Sequence, residues 1–248
     1  MIHGLAPVGA PAWVRIVSAP APGRRKFGVP PGGPFDPISA ALAADLLGQD
    51  RFESGFEVLL MPAEFRADED VWVAVAGAAD EVAVGGTPSP TPWVGVLSAG
   101  QILTVGSPSV GCRTYLVSRL DAPPPKRARR PASPPIAAGS VALRVWRGPQ
   151  AEWLDFEAFC RSEFSVSHLA DRVGIRLDGP RLFGAVERPS EPACVGAVQV
   201  TPSGQAIVLG PDGPTIGGYP KIAVVASDHL PWLGQLVPGQ GVRFEPVD

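Results

Sequence analysis

Three stretches of the chain combine glycines with groups that bind or stabilise charge. In Gly28-Val29-Pro30-Pro31-Gly32-Gly33-Pro34-Phe35-Asp36, glycines permit close backbone approach, prolines stiffen the loop, and a helix follows. Backbone N–H groups at such a place bind an anion or a carbonyl oxygen. The competing reading is a rigid turn in which Asp36 only caps the helix, and composition favours it. In Asp212-Gly213-Pro214-Thr215-Ile216-Gly217-Gly218-Tyr219-Pro220-Lys221, a carboxylate, a hydroxyl, a phenol and an amine gather around a diglycine. The alternative there is a plain hairpin connection into the next strand. Between them lies Ala170-Asp171-Arg172-Val173-Gly174-Ile175-Arg176-Leu177-Asp178-Gly179. The planar donor forks of Arg172 and Arg176 suit a carboxylate or phosphate, whereas an ion pair between Asp171 and Arg172 accounts for the same charges structurally.

Familiar chemistries are missing. The three lysines, Lys26, Lys126 and Lys221, form no Gly-x-x-x-x-Gly-Lys-Ser/Thr loop, so any ATP is held without a P-loop. His3, His168 and His229 lack metal-ligand spacing, no Gly-x-Ser-x-Gly elbow occurs, and no metal is expected. The only methionines are Met1 and Met61, which leaves no Met-Lys-Met site for covalent biotin.

The elements that must position these loops are mostly β. With 29 glycines and 30 prolines scattered among short β-branched runs, a helical bundle is excluded and barrels or sandwiches are favoured. Strands are expected at Val71–Val75, Arg113–Val117, Val141–Val145, Val173–Leu177, Val195–Val200, Ala206–Leu209 and Ile222–Val225. In Val173–Leu177 the alternation predicts three apolar side chains on one face and Arg176 on the other. A helix is predicted from Asp36, a capping carboxylate ahead of Pro37, with Ile38, Leu42 and Leu46 at four-residue spacing and Gly48 at its end. A second is predicted over 151–161, where Trp153, Phe156, Phe159 and Cys160 form an apolar stripe read as core. The proline-rich stretch 122–138 is the natural boundary between an N-terminal β domain, 1–121, and a C-terminal one, 139–248.

Hydrophobic residues make up 45% and charged residues 18%, a globular balance, and no apolar run approaches a bilayer span. No basic stretch followed by an apolar core and a cleavage site marks the N-terminus, so a cytoplasmic protein is expected. Cys112, Cys160 and Cys194 are odd in number and far apart, as for buried free thiols. A net charge of −3 argues against nucleic acid, and the Lys126–Arg130 cluster sits among prolines as in a solvated linker.

Taken in order, four segments resemble the signature of the C-type subunit of 5-oxoprolinase, related to subunit 2 of allophanate hydrolase and to biotin-dependent carboxyltransferase domains. These are GVPPGGPFDPISAALAADLLG, DRVGIRLDG, GAVQVTPSGQAIVL with TIGGYPKIAVV, and LGQLVPGQGVRF. The resemblance implies two β-barrel-like, cyclophilin-like domains with a few short helices. It also implies a hydrolase component, inactive alone, that works in a hetero-oligomer with a B-type 5-oxoprolinase partner and with the A-type component. That complex opens 5-oxo-L-proline to L-glutamate with ATP as cosubstrate. Matched motif positions are Gly28, Pro30 and Asp36, then Asp171, Arg172 and Arg176, then Gln199, Thr215, Gly217, Gly218, Tyr219 and Lys221. Implied roles are Arg172 or Arg176 for the substrate carboxylate, the Gly32-Gly33 backbone for the oxyanion, and Lys221 or Tyr219 for orientation.

The chain departs from that signature in three places. Ser118-Arg119-Leu120-Asp121 and the proline-rich segment stand where a glycine-rich loop usually continues, Gly213 and Pro214 replace polar residues, and Ala44 replaces an asparagine. Two other readings follow: a carboxyltransferase component using a separate biotin carrier, or a catalytically silent regulatory binding protein.

Overall fold

The computed structural model describes residues 4–121, 138–184 and 186–247. The proline-rich boundary and its basic cluster therefore lie outside the described residues, apart from Ala138. The fold is mostly β with few short helices, and two compact units are distinguishable.

The first unit comprises residues 4–19 and 36–121. Its strands are β1 (Leu5–Pro7), β2 (Val14–Ser18), β3 (Ser54–Leu59), β4 (Ala63–Ala67), β5 (Val71–Gly77), β6 (Glu81–Val84), β7 (Thr87–Pro90), β8 (Trp93–Leu97), β9 (Ile102–Val105) and β10 (Arg113–Arg119). They form two five-stranded antiparallel sheets, ordered β1-β4-β9-β6-β7 and β2-β3-β10-β5-β8. Because side chains alternate along a strand, β5 serves two layers at once. Val71, Val73 and Val75 meet Phe65, Val82 and Leu103 between the sheets, while Ala74 and Ala76 face the opposite way. Those small residues admit helix α1 (Pro37–Leu46) through Ala40, Ala43 and Ala44.

Helix α1 begins as its sequence predicts. Asp36 accepts from the amides of Ile38 at 3.0 Å and Ser39 at 3.1 Å, and Pro37 stands where no intrahelical donor is needed. Beneath it runs a buried polar chain: the Asp36 amide donates to the Tyr115 hydroxyl at 2.9 Å, which donates to Glu57 Oε2 at 2.8 Å. Glu57 in turn faces Arg113 at 3.5 Å. Burial and the Glu57 charge push the Tyr115 phenol well above its usual range, so it serves as a neutral hydrogen-bonding group.

The second unit comprises residues 20–35 and 138–247. The N-terminal segment 20–35 thus packs with the C-terminal strands, although the expected boundary places it with the first domain. Its strands are β11 (Val141–Arg147), β12 (Phe164–Val166), β13 (Gly174–Asp178), β14 (Glu191–Pro192), β15 (Ala197–Val200), β16 (Ala206–Leu209), β17 (Ile216–Gly217), β18 (Lys221–Val225) and β19 (Gly241–Pro246). Seven close a barrel in the order β11-β18-β15-β16-β13-β12-β19, and the parallel pairing of β11 with β19 completes it. The remaining two, β14 and β17, form a separate short ribbon. Phe35, Leu143, Val198, Val208, Ile222 and Phe244 are among the residues that fill the core, where the Phe159 and Phe244 rings stack 4.5 Å apart.

All seven expected strands exist, with two local differences. Val173 precedes β13 and is 48% exposed, so only Ile175 and Leu177 of its trio enter the core. The predicted helix over 151–161 breaks into a 3₁₀ turn, Ala151–Trp153, and helix α2, Phe156–Arg161. The break comes where Asp155 accepts from the Ala158 amide at 2.7 Å, restarting the helix and leaving Trp153 50% exposed. The three cysteines are free, but only Cys112 is buried; Cys160 is half-buried and Cys194 exposed, which corrects the expectation of buried thiols. Burial and the Glu157 carboxylate push the Cys160 thiol up to about 11. Among the described residues no helix is long and apolar enough to cross a membrane.

Replacing Asp36 with Ala removes the cap and strands the Ile38 and Ser39 amides. A loss of about 1–2 kcal/mol is expected in urea unfolding followed by tryptophan fluorescence.

Candidate functional site

The second unit brings together most of the predicted positions, in two polar clusters. The first is built around the segment 20–35. Gly28, with φ +77°, ends the 3₁₀ turn Arg25–Phe27, its amide donating to the Arg25 carbonyl at 2.9 Å. Gly32 and Gly33 both adopt positive φ, and a Cβ on Gly33 would stand 2.6 Å from Pro20 Cγ, so this bend requires glycine. Pro30 is half-buried within the same bend.

The bend is fastened rather than offered. The Gly32 amide donates to the Pro211 carbonyl at 3.0 Å, and the Gly33 carbonyl accepts from Arg172 Nη2 at 2.6 Å. Arg172 also grips Asp212 with a two-pronged fork, Nε to Oδ2 at 2.7 Å and Nη2 to Oδ1 at 2.9 Å. The guanidinium lies 6.0 Å from the Phe35 ring. Backbone bonds stitch the same loop, with Asp212 donating to the Arg172 carbonyl and Gly210 to that of Val173. Asp171 is not the partner of Arg172, contrary to the ion-pair reading. Its Oδ1 accepts from the Val173 amide at 2.8 Å and the Gly174 amide at 3.0 Å, closing the turn into β13.

Lys221, the first residue of β18, organises the second cluster. Its Nζ lies 3.1 Å from Glu191 Oε2, the same oxygen that accepts from Gln150 Nε2 at 3.1 Å. Gln150 Oε1 accepts from the Lys221 amide at 2.9 Å, and the Gln150 amide donates to the Lys221 carbonyl, so one glutamine fixes both backbone and charge. The lysine is buried, while its carboxylate partner is half-exposed. The hydrogen bond and charge of Lys221 hold the Glu191 carboxyl below its usual range, aided by Gln150 and Arg188.

Gln199, buried on β15, pairs across the ladder with Lys221. Gly217 pairs with Glu191 in the short ribbon, and a Cβ on it would stand 3.0 Å from Gln199 Nε2. A Cβ on Gly218 would stand 2.5 Å from the Arg188 carbonyl, which gives the diglycine a packing reason at each position. Thr215 is buried, its carbonyl accepting from Ala193 at 3.0 Å and from Arg25 Nη2 at 3.3 Å. Tyr219 is half-buried beside them.

Two predicted positions lie elsewhere. Asp36 belongs to the first unit as a buried helix cap. Arg176 is directed at Gln205, with 3.5 Å between Nη1 and Oε1. Sequence reasoning missed Arg25, Gln150, Glu191 and Asp212 as partners, and no local spacing marks them. Among the described residues no group of three or more His, Cys, Asp or Glu is arranged to hold a metal ion.

Known proteins share the sequence pattern and the fold of this chain. The family model "Carboxyltransferase domain, subdomain A and B" matches residues 27–121 and 117–246. The C-type subunit of 5-oxoprolinase from Escherichia coli (strain K12) is 29% identical over 264 residues, covering 90% of this chain and 84% of that protein. The crystal structure of TTHA0988 superposes with a TM-score of 0.87 at 28% identity, covering 97% of this chain but only 55% of that one. The Kluyveromyces lactis urea carboxylase shares the fold, with a TM-score of 0.89 at 23% identity, and this chain spans 28% of its length.

Two outcomes are expected. Arg172→Leu removes the two-pronged fork from the Asp212 carboxylate and the bond to the Gly33 carbonyl, and lowers stability by about 3 kcal/mol. It also speeds tryptic cleavage at Arg24–Lys26, whereas Arg172→Lys, which keeps charge but not the fork, falls between variant and parent. Because the Glu191 carboxyl is depressed, its ion pair contributes above the unfolded carboxylate pKa and is lost as pH falls through the folded value. Glu191→Gln therefore flattens the acid limb of a melting-temperature profile between neutral pH and about pH 3.

Proposed function

Because the chain belongs to the family of the carboxyltransferase domain, subdomain A and B, we propose that it is one component of an ATP-dependent complex that opens a cyclic amide. The substrate assigned is 5-oxo-L-proline and the product L-glutamate, with a B-type 5-oxoprolinase protein as partner and the A-type component completing the reaction. The observation that carries this reading is the match to a C-type 5-oxoprolinase subunit over 90% of this chain and 84% of that protein.

The chemistry suits such a site. A lactam carbonyl is a poor electrophile. Transfer of the γ-phosphoryl group of ATP to its oxygen, followed by attack of water at carbon, breaks the ring C–N bond and releases ADP and phosphate. Charge that develops on the oxygen needs fixed donors. Lys221, oriented by Gln150 and Glu191, is assigned that neighbourhood together with Tyr219. Arg172 is a positioning residue that fastens the 20–35 segment through Gly33, and Arg176 is left as the cation for a substrate carboxylate. ATP is a cosubstrate held without a P-loop, and the biotin of carboxyltransferase chemistry would come on a separate chain.

A regulatory, catalytically silent protein is the second reading, favoured by Gly213 and Pro214 at positions where polar residues would face a ligand. The test is ATP hydrolysis dependent on 5-oxo-L-proline, measured with this chain, its B-type partner and the A-type component, alone and combined. Turnover only in the complete mixture, with glutamate released in step with ADP, is the expected outcome. A stable complex with no turnover selects the silent reading, and biotin-dependent carboxylation selects the carboxyltransferase reading.

A further inference from the structure

In the first unit, the sheet β2-β3-β10-β5-β8 carries a row of apolar side chains, one from each strand. Trp93 pairs with Val75, Val75 with Leu116, Leu116 with Phe56, and Phe56 with Ile16. Directly paired residues point to the same face, and this face packs between the two sheets, where Val75, Leu116 and Phe56 are buried. At the β8 end the row closes with Trp93, half-buried against that core. At the β2 end it stops at Ile16, which is 66% exposed. Ile16 borders an open apolar cavity of about 660 Å³ whose walls include Leu5, Pro7, Pro11, Val14 and Phe56. The backbone of β2 is unfinished along the same edge. The Leu59 amide donates to the Trp13 carbonyl and the Ala19 amide to that of Glu53, so odd-numbered residues face β3 while Ile16 and Ser18 direct their amides and carbonyls outward. No described strand pairs with β2 there. The edges of the other sheet are guarded, β1 by its length of three residues and Pro7, β7 by Pro88 and Pro90, whereas β2 contains no proline.

We propose that β2 pairs with β2 of a second copy of this chain, antiparallel about a twofold axis at Ile16, so that the two sheets become continuous. The occupant follows from the strand's own pattern, because an isologous contact needs one patch that matches itself. With Ile16 opposite Ile16, Val14 falls opposite Ser18 and Arg15 opposite Val17, so no like charges meet directly. Ile16 then exchanges amide–carbonyl bonds with its counterpart, and the Ser18 amide meets the Val14 carbonyl of the other copy. The Val14 amide needs no partner, since it already donates to the Pro11 carbonyl at 3.1 Å. The two Ile16 side chains lie on the same face, join the apolar rows of the two copies and cover the cavity that each leaves open. A contact centred on one five-residue strand sits at the small end of interfaces, below roughly 1,200 Å², so the association is a concentration-dependent equilibrium and not a permanent dimer. It uses the first unit alone and stands or falls apart from the ring-opening reading.

The test is sedimentation of the whole chain from low micromolar to near-millimolar concentration. The weight-average mass is expected to rise from that of one chain towards that of two. Ile16→Lys sets two ammonium groups against each other at the dyad, and is expected to weaken the dimer at least tenfold while leaving the melting temperature unchanged, because the parent side chain is exposed. Ile16→Val keeps the dimer. A cross-link fixes the register independently of that variant's folding. In a background where the exposed Cys194 is replaced by Ser, Ile16→Cys is expected to give a disulfide-linked dimer on mild oxidation, since paired Cα atoms across such a ladder stand about 5.5 Å apart, within disulfide reach. Ser18→Cys gives none, because the two copies of that position lie roughly 14 Å apart along the strands. A chain that keeps the mass of one copy throughout, a dimer as tight in Ile16→Lys as in the parent, or cross-linking as ready through Ser18→Cys as through Ile16→Cys overturns the proposal.

Discussion

Removing a guanidinium from water is worthwhile to a fold only if acceptors of the right geometry surround it, and Arg172, 7% exposed, meets that demand with atoms from two other parts of the chain. Asp212 matches the fork of donors, and the Gly33 carbonyl completes the set. The consequences spread outward. With the carbonyl of Gly33 held and the amide of Gly32 bound to Pro211, segment 20–35 has one course over the second unit. With Asp212 held, the loop leading to Thr215, Gly217 and Lys221 has a fixed starting point. A lysine in place of Arg172 keeps the charge and cannot keep the geometry, because an ammonium has no planar fork.

The Lys221 cluster applies the same physics with a different outcome. Here the cation is buried and its carboxylate is half in water, so solvent moderates the pair. Gln150 prevents this from becoming a loose surface contact, since it binds the lysine backbone on both sides and the shared carboxylate oxygen. The diglycine is best understood as clearance. Gly218 makes room for the Arg188 carbonyl and Gly217 for the Gln199 carboxamide. Each glycine of the pair sits where backbone and side chains approach closely.

What the sequence makes legible is local. Asp36 and Pro37 announce a helix because a cap acts within three residues, and the apolar runs at Val71–Val75 and Ala206–Leu209 announce strands because their burial is continuous. Twelve of the nineteen described strands are not among those expected, and β2 and β7 show why: β2 has an exposed Arg15 and Ile16 where alternation would bury one of them, and β7 carries Pro88 and Pro90, which punctuate a strand pattern. The site positions are legible as residue types but not as partners. Asp171 adjoins Arg172 in sequence, yet Asp212 is the residue that binds it, because a turn directs Asp171 to the Val173 and Gly174 amides. Glu191 and Gln150 carry no motif at all, since their roles arise from ladder register and a barrel-end turn. The assignment of residues 20–35 to the second unit is equally invisible, because it depends on Phe35 finding a core made of strands far along the chain.

That interrupted second unit has a consequence for the order of events during synthesis. A chain made from its N-terminus displays segment 20–35, with Phe35 and the proline-stiffened glycine bend, long before β11 to β19 exist. Folding of units as they emerge cannot apply to it, since its core residues arrive last. Until Arg172 and the loop at Asp212 have been made, Phe35 remains an apolar side chain without its core. A fragment begun at residue 139 meets the reverse problem, a barrel that lacks Phe35 and the Gly33 carbonyl. All seven barrel strands lie in that fragment, but Phe35 in the core and the carbonyl that meets Arg172 are supplied only by a chain that carries both ends.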